Sequence, residues 1–268
     1  MDAVSDRRVP TVVLCGGRGT RMAALGRELP KAMLPIGSQP ILWHIMKVYA
    51  SAGQDDFVLA LGYLGDVIRE YFLHYRAMAS DFTIELGRPE TISYLEEHDE
   101  LGWRVTCVDT GLDSLTGTRV RRATRHLGDG PVMVTYGDCV GDVDVATLLQ
   151  FHRDHGRLAT VTAVRPPGRF GELRINVGGD VRAFEEKPQT STGAINGGFM
   201  VFEREAIDRY IPADANVMLE REPMTRLAAD GELVAYEHDG FWQPMDTPRE
   251  HELLTELWDS GKAPWRVW

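Results

Sequence analysis

The chain has 268 residues, 43% of them hydrophobic and 26% charged, with a formal net charge of −11. That length suits one large domain or a domain with a small appendage. The acidic balance argues against general nucleic-acid binding, which needs a basic surface, but not against a nucleotide held by local basic side chains and a divalent cation.

In chain order, residues 11–15 (TVVLC) form a short apolar run rich in β-branched side chains, the pattern of a buried strand. The run enters Gly16-Gly17-Arg18-Gly19-Thr20-Arg21. Gly16, Gly17 and Gly19 let the backbone turn sharply and let an anion sit against bare N–H groups. Arg21 offers a fixed fork of donors suited to phosphate oxygens. Lys31 follows Pro30 and leaves a stiffened piece of chain. No Gly-Lys-Ser/Thr follows, so this is not a P-loop, and Met22 stands where the dinucleotide fingerprint needs a third small residue. What remains is a polyphosphate cradle of another kind.

Pro40 sits where a helix would begin, and Ile41, Ile45, Val48, Tyr49 and Ala52 share one helical face that Gly53 ends. Residues 57–61 read as a second buried strand, and Gly62-Tyr63 turns into a helix with Leu64, Val67, Ile68, Tyr71, Phe72 and Tyr75 on one face. Strand, helix, strand, helix with unbroken apolar strands predicts an α/β fold, a Rossmann-like and mostly parallel sheet covered by helices on both faces. Residues 82–86 suggest a strand, whereas 87–102 are polar and read as a surface loop or insertion. A strand at 104–108 and a helix at 116–127 follow. The helix carries four arginines, of which Arg119, near its start, is the candidate for a phosphate contact. Residues 132–136 form the clearest central strand and deliver Gly137-Asp138 at its carboxyl end, where open α/β sheets place ligand-binding groups.

From Pro166 the texture changes to short segments at 171–177, 181–185 and 194–202, read as antiparallel strands beside the main sheet, with 178–180 as a hairpin turn. Helices at 203–210 and 217–229, a strand at 233–237 and a last helix at 247–258 complete the chain. No linker separates an independent domain, so residues 1–268 read as one unit, with a nucleotide half at about 11–165 and a sugar-binding and helical half at about 166–268.

Cys15, Cys107 and Cys139 show no CxxC spacing and lie in or beside apolar runs, so they read as buried filler in a reducing, cytoplasmic protein. The polar start MDAVSDRRVP leads into no signal-type apolar stretch. The longest uncharged run, 32–46, is broken by Pro35, Gly37 and Pro40 and cannot span a membrane. His44, His152 and His155 sit on predicted helices without a third metal ligand, and no Ser/His/Asp or Cys/His signature supports hydrolase chemistry.

The sequence GGRGTR…PKAMLPIGSQPILWHIM resembles the N-terminal signature of the sugar-1-phosphate nucleotidyltransferases. Val108-Asp109-Thr110-Gly111, Tyr136-Gly137-Asp138, Pro166-Pro167-Gly168-Arg169-Phe170-Gly171, Glu186-Lys187-Pro188, Ile195-Asn196-Gly197-Gly198-Phe199 and Gly240-Phe241-Trp242-Gln243-Pro244-Met245-Asp246-Thr247 follow in that order. With the terminal GKAPWRVW, the set is similar to the cytidylyl-transferring members that act on glucose 1-phosphate. The resemblance implies transfer of a cytidylyl group from CTP to α-D-glucose 1-phosphate. It implies Arg21, Lys31 and Lys187 as catalytic residues. It also implies Gly16, Gly17, Gly19, Thr20, Arg21, Gly62, Tyr63, Arg119 and Asp138 around the nucleotide. Glu186, Lys187, Asn196 and Gly198 fall to the sugar phosphate.

Asp138 and Asp246 are the implied pair for Mg2+, an ion for which one or two carboxylates plus phosphates suffice. On residue chemistry alone Asp246 could equally cap the last helix. Residue chemistry also leaves the base open, with dTTP or UTP as alternatives, and a different phosphorylated acceptor as another. The aromatic residues Trp258, Trp265 and Trp268 could form a subunit interface or pack on their own domain; a homo-oligomer is expected.

Overall fold

The computed structural model describes residues 8–17, 29–166, 172–175, 181–185 and 193–268. The principal sheet has seven strands: β1 (Thr11–Leu14), β2 (Asp56–Leu61), β3 (Arg104–Asp109), β4 (Val132–Tyr136), β5 (Ala159–Val164), β6 (Ile195–Phe202) and β7 (Leu233–His238). Their spatial order is β7-β5-β6-β4-β1-β2-β3. β1 pairs in parallel with β2 and β4, β2 with β3, and β5 with β7. β6 alone runs antiparallel, against β4 on one side and β5 on the other. The 194–202 segment was expected beside the main sheet and instead lies inside it. Its Phe199, Met200, Val201 and Phe202 are all buried, and an unbroken apolar run of this kind belongs to a strand covered on both faces.

The sheet sorts its side chains by parity. Val13, Leu59, Met133 and Val201 face a core closed by α1 (Ile41–Ser51), α5 (Val145–His155) and α8 (Pro248–Asp259). Val12, Val58, Val134 and Met200 face a second core with α4 (Thr116–Ala123) and α6 (Arg204–Tyr210), and Leu227 of α7 (Glu222–Ala229) joins it. Two further helices, α2 (Gly65–Leu73) and α3 (Tyr75–Ala79), follow β2. The predicted helix at 217–229 is shorter than expected: Pro223 stands in its first turn, the position proline tolerates, and 217–219 instead bond to the start of α4.

Residues 87–102 are not one continuous loop. Arg88–Tyr94 pairs antiparallel with Phe82–Glu85, and Asp99–Gly102 forms a 3-10 turn. Thr91, Ile92 and Tyr94 supply the β propensity that the surrounding acids and Pro89 obscure. The tryptophans pack at home. Trp265 is fully buried, and His44 stands edge-on to Trp258, with ring centroids 4.4 Å apart. Gly37, at φ +63°, is fixed by that packing, since a Cβ there would lie 2.3 Å from the Trp258 indole nitrogen. Asp144 caps α5 by accepting from the Thr147 amide at 2.9 Å.

His44 lies wholly inside this aromatic cluster and meets the Ile36 carbonyl oxygen with Nε2 at 2.9 Å, while Trp265 Nε1–H points at its Nδ1 from 3.4 Å. Burial pulls the imidazole down to about 4, against backbone hydrogen bonds that favour the proton. His152 is also depressed to about 4, by burial and then by His155 and Arg153. The unfolded chain binds these protons near pH 6.5 and the folded one does not, so stability is full above that pH and falls as pH drops toward 4. Each imidazole is expected to cost on the order of 2 kcal/mol at pH 5. Urea unfolding at pH 7, 6 and 5 checks this, and His44→Asn is expected to flatten the slope.

Candidate active site

The strand order reverses direction around β1, with β2 on one side and β4 on the other. The crevice outside the carboxyl ends at such a switch point is where open sheets bind ligands. The ends of β1 and β4 are pressed together there. The Gly137 amide donates to the Leu14 carbonyl at 3.2 Å, and a Cβ on Gly137 would lie 2.9 Å from that oxygen. Gly137 is thus required by strand approach, and it sets the chain leaving β4 so that Asp138 follows at once.

Three residues far apart in sequence meet at this point. Lys31 opens a 3-10 turn, Lys31–Met33, behind the extended Pro30. Its Nζ donates to Asp138 Oδ2 at 2.6 Å and to Asp246 Oδ1 at 2.5 Å. Asp246 is carried there by a short antiparallel ladder between Cys139–Gly141 and Trp242–Pro244, after which the Met245 amide donates to the Asp138 carbonyl at 2.9 Å. The helix-cap reading of Asp246 gives way. Thr247 caps α8, its Oγ1 accepting from the Glu250 amide while Glu250 accepts from the Thr247 amide, a capping box. The Asp246 carboxylate is turned to Lys31 instead.

Burial works to lower the Lys31 ammonium, but the charges and hydrogen bonds of Asp138 and Asp246 outweigh it and hold the group above its ordinary value. Lys31 is therefore a cation near neutral pH, unsuited to serve as a base. The two carboxylates, each about a third exposed, present their oxygens to one point that a cation already occupies. Hard oxygen donors converging in this way fit a divalent ion that takes its remaining ligands from phosphates and water.

Arg119 does not face the cleft. The expectation of a phosphate contact is corrected by its place beneath the glycine turn, where it is 5% exposed. Its Nη1 donates to the Leu61 carbonyl (3.0 Å), Thr110 Oγ1 (2.8 Å) and the Gly111 carbonyl (2.9 Å); its Nη2 donates to the carbonyls of Gly16 (2.9 Å) and Leu112 (3.1 Å). The terminal donors are spent on four backbone carbonyls and the Thr110 hydroxyl at three strand ends, and the guanidinium ties the ends of β1, β2 and β3 together. A Cβ on Gly16 would lie 2.2 Å from Arg119 Nη1, and one on Gly62 would lie 2.4 Å from it. Gly16 and Gly62 thus make room for a buried cation. Gly17, by contrast, has nothing among the described residues within 4 Å of where a Cβ would go. The Tyr63 amide donates to the Gly16 carbonyl at 3.3 Å, and its ring is exposed.

Because β6 runs opposite to its neighbours, its first residues arrive at the same edge as the carboxyl ends of β1 and β4. Asn196 Nδ2 donates to the Tyr136 hydroxyl at 3.2 Å, and the Gly198 amide donates to Asn196 Oδ1 at 2.9 Å. Gly198, at φ +83°, lies under the Tyr136 ring, 2.5 Å from where its Cβ would be. Sequence reasoning quoted Tyr136 only within a motif and gave Thr116 and Glu220 no role; the three are joined here by hydrogen bonds. Tyr136 and Glu220 stand 84 positions apart, and no spacing rule links them. Gly19, Thr20, Arg21, Glu186 and Lys187, with the PPGRFG segment from Pro167 on and the predicted turn at 178–180, lie outside the described residues.

The pattern of the nucleotidyl transferase family matches residues 10–247, and the chain belongs to that family, whose members typically depend on a metal ion. It is a nucleotidyltransferase. It is 46% identical to the glucose-1-phosphate cytidylyltransferase of Salmonella typhimurium over 260 residues, 96% of this chain and 98% of that protein. It is 32% identical to the mannose-1-phosphate guanylyltransferase of Mycobacterium tuberculosis over 252 residues, 92% of this chain and 64% of that one. Among solved structures, HddC from Yersinia pseudotuberculosis superposes with a TM-score of 0.68 at 19% identity, over 93% of this chain and 99% of that one, a likeness of fold.

Gly16 and Gly17 are expected to respond differently to an added methyl group. Gly16→Ala is expected to displace Arg119 and lower the melting temperature by several degrees, since a forced shift in a packed site costs roughly 1–3 kcal/mol. Gly17→Ala is expected to leave melting unchanged while raising KM for the nucleotide. Differential scanning fluorimetry beside steady-state kinetics distinguishes the two.

Proposed function

We propose that the protein transfers the cytidylyl group of CTP to α-D-glucose 1-phosphate, giving CDP-glucose and pyrophosphate, with Mg2+ as its ion. The observation that carries this reading is the meeting of Lys31, Asp138 and Asp246 at the switch point, in a chain 46% identical over nearly its whole length to a glucose-1-phosphate cytidylyltransferase.

The chemistry follows from charge. The second pKa of a phosphate monoester is about 6, so the sugar phosphate is an anion near neutral pH and needs no general base. One of its oxygens attacks the α-phosphorus, the bond from that phosphorus to the β-bridging oxygen breaks, and pyrophosphate leaves with the electron pair. The barrier is the repulsion between two anionic phosphates, which positioned positive charge lowers. Lys31, a cation near neutral pH, meets this need. In this reading Lys187 does the same for the sugar phosphate, Arg21 and the amides of residues 16–20 hold the β and γ phosphates, and Glu186 and Asn196 bind sugar hydroxyls. Mg2+ held by Asp138 and Asp246 would supply positive charge at the α-phosphate and the departing pyrophosphate.

We take the protein to act in the cytoplasm, where its three free thiols stay reduced; among the described residues no helix is long and apolar enough to cross a membrane. We also take it to be a homo-oligomer. Trp265 is spent inside the subunit, and the exposed Leu86 and Leu95 at the Phe82–Tyr94 hairpin are the surface offered for association. Sedimentation velocity is expected to give a species larger than one chain, and Leu86→Glu to shift it toward the monomer.

Pyrophosphate release with Mg2+, each nucleoside triphosphate and a panel of sugar phosphates tests the reaction. CTP with glucose 1-phosphate is expected to turn over fastest; faster turnover with dTTP or UTP would reassign the base. Lys31→Ala is expected to lower kcat by about 10²–10³ while the melting temperature moves by only a few degrees. Equal loss of fold and turnover would count against an electrostatic role for Lys31.

A further inference from the structure

The carboxylate of Glu220 takes no part in the chemistry above. It lies between α6 and α7 in a stretch bonded to the start of α4. The Leu115 amide donates to Asn216 Oδ1 (2.8 Å), the Val217 amide to Thr118 Oγ1 (2.9 Å) and the Leu219 amide to Thr116 Oγ1 (2.9 Å). Glu220 then divides its two oxygens. Oε2 accepts from the Thr116 hydroxyl at 2.5 Å, and Oε1 accepts from the Tyr136 hydroxyl at 2.6 Å. All of these side chains are half-buried at the carboxyl edge of the sheet, except the exposed Asn216 and the buried Thr118.

The carboxylate sets the direction of every bond upstream of it. An ionised carboxylate can only accept, so Tyr136 must give it the hydroxyl proton. The Tyr136 oxygen is then left as an acceptor and takes a proton from Asn196 Nδ2 at 3.2 Å. The Gly198 amide, donating to Asn196 Oδ1 at 2.9 Å, fixes the same orientation of the amide from its other end. The remaining Nδ2 contact is to Met200 Sδ at 3.6 Å. An asparagine held in this way has spent its donors within the protein. It can meet a ligand only through the second lone pair of Oδ1. Charged ends and aligned dipoles strengthen one another in chains of this kind, because the partly desolvated setting screens them weakly.

We propose that Glu220 is a positioning residue for the sugar side of the site: through Tyr136 it fixes Asn196 as a hydrogen-bond acceptor, so that the hydroxyl recognised there must donate. This rests on the reading that places Asn196 against the sugar phosphate. The ligand class it selects is a hexose 1-phosphate with a free hydroxyl at the contacted carbon. A fluorine there, which cannot donate, is rejected as firmly as a hydrogen.

The test is steady-state kinetics of the full-length protein with CTP, Mg2+ and glucose 1-phosphate or its deoxy and deoxyfluoro analogues. Glu220→Gln disturbs the polarity while keeping the shape. It is expected to raise KM for glucose 1-phosphate about tenfold, the scale of one misdirected buried hydrogen bond, with kcat and KM for CTP within about threefold. It should also narrow the gap between the hydroxyl substrate and its fluorine analogue, which a loss of fold alone would not do. Tyr136→Phe keeps the ring over Gly198 and provides the measurement if Glu220→Gln does not fold. It is expected to give the same split, and the double variant is expected to be no worse than Tyr136→Phe alone, as for residues acting in one chain. An unchanged KM for glucose 1-phosphate in both single variants, or additive losses in the double, overturns the proposal. Asn196→Ala is measured in parallel. If it leaves that KM unchanged, the sugar-side assignment itself is wrong; if it raises KM while the Glu220 and Tyr136 variants do not, only the coupling through Glu220 is.

Discussion

The site is built around one ammonium group between two carboxylates. Asp138 lies 107 positions from Lys31, and Asp246 lies 215 positions from it. Two carboxylates brought to the same point repel, and the repulsion is strongest where water is thinnest. A fixed cation between them removes that penalty and lets the ends of β4 and the entry to α8 sit together. The same geometry prepares the chemistry. Acids that hold an ammonium can hold a divalent ion, and a lysine held among acids stays charged when phosphates arrive. Breaking one member of such a cluster leaves the others as uncompensated charge, a cost that water softens here because each carboxylate is about a third exposed.

A second cation lies beneath the first layer. Arg119 has its positive charge under the glycine turn and five oxygen acceptors around it. Buried charge is tolerated when its hydrogen-bonding capacity is filled, and here backbone carbonyls do most of the filling. Two of the glycines that look like ligand contacts, Gly16 and Gly62, are in the first place the space this guanidinium needs. The start of the turn is held by Arg119 through the Gly16 carbonyl. The Asn196 end of the sheet follows the same logic with a negative group: Glu220 accepts from the Tyr136 hydroxyl, which in turn accepts from Asn196.

Much of the architecture was legible residue by residue. The alternation of apolar runs with helical faces predicted the parallel sheet, and the buried run at 132–136 became its central β4 between β1 and β6. Lys31, Asp138 and Asp246 were each named from their local setting and from family likeness, and the fold gathers them. Other segments misled for identifiable reasons. Pro89 and the acids around it masked the strand Arg88–Tyr94, whose stability depends on its partner across the hairpin. Arg119 looked like an anion ligand because it follows Thr116-Gly117 near a helix start; nothing local shows that five acceptors from other elements surround it. Val217 and Leu219 fit a helical pattern but are drawn off by hydrogen bonds to Thr118 and Thr116 on α4.

What the amino-acid order settled by itself was whatever depends on near neighbours: strand and helix periodicity, the turn-forming glycines, the stiff approach to Lys31, and the absence of metal-type cysteine spacing. What only the tertiary structure decided was which charges face one another. That decision covers the capping of α8 by Thr247 rather than Asp246, the burial of Arg119, the antiparallel insertion of β6 that brings Asn196 to the carboxyl edge of the sheet, and the selection of Glu220 as partner of Tyr136. The physical reason is range. Backbone preference is set within a few residues, whereas a buried charge is stabilised by whatever group lies within a few ångströms, and chain distance carries no information about that.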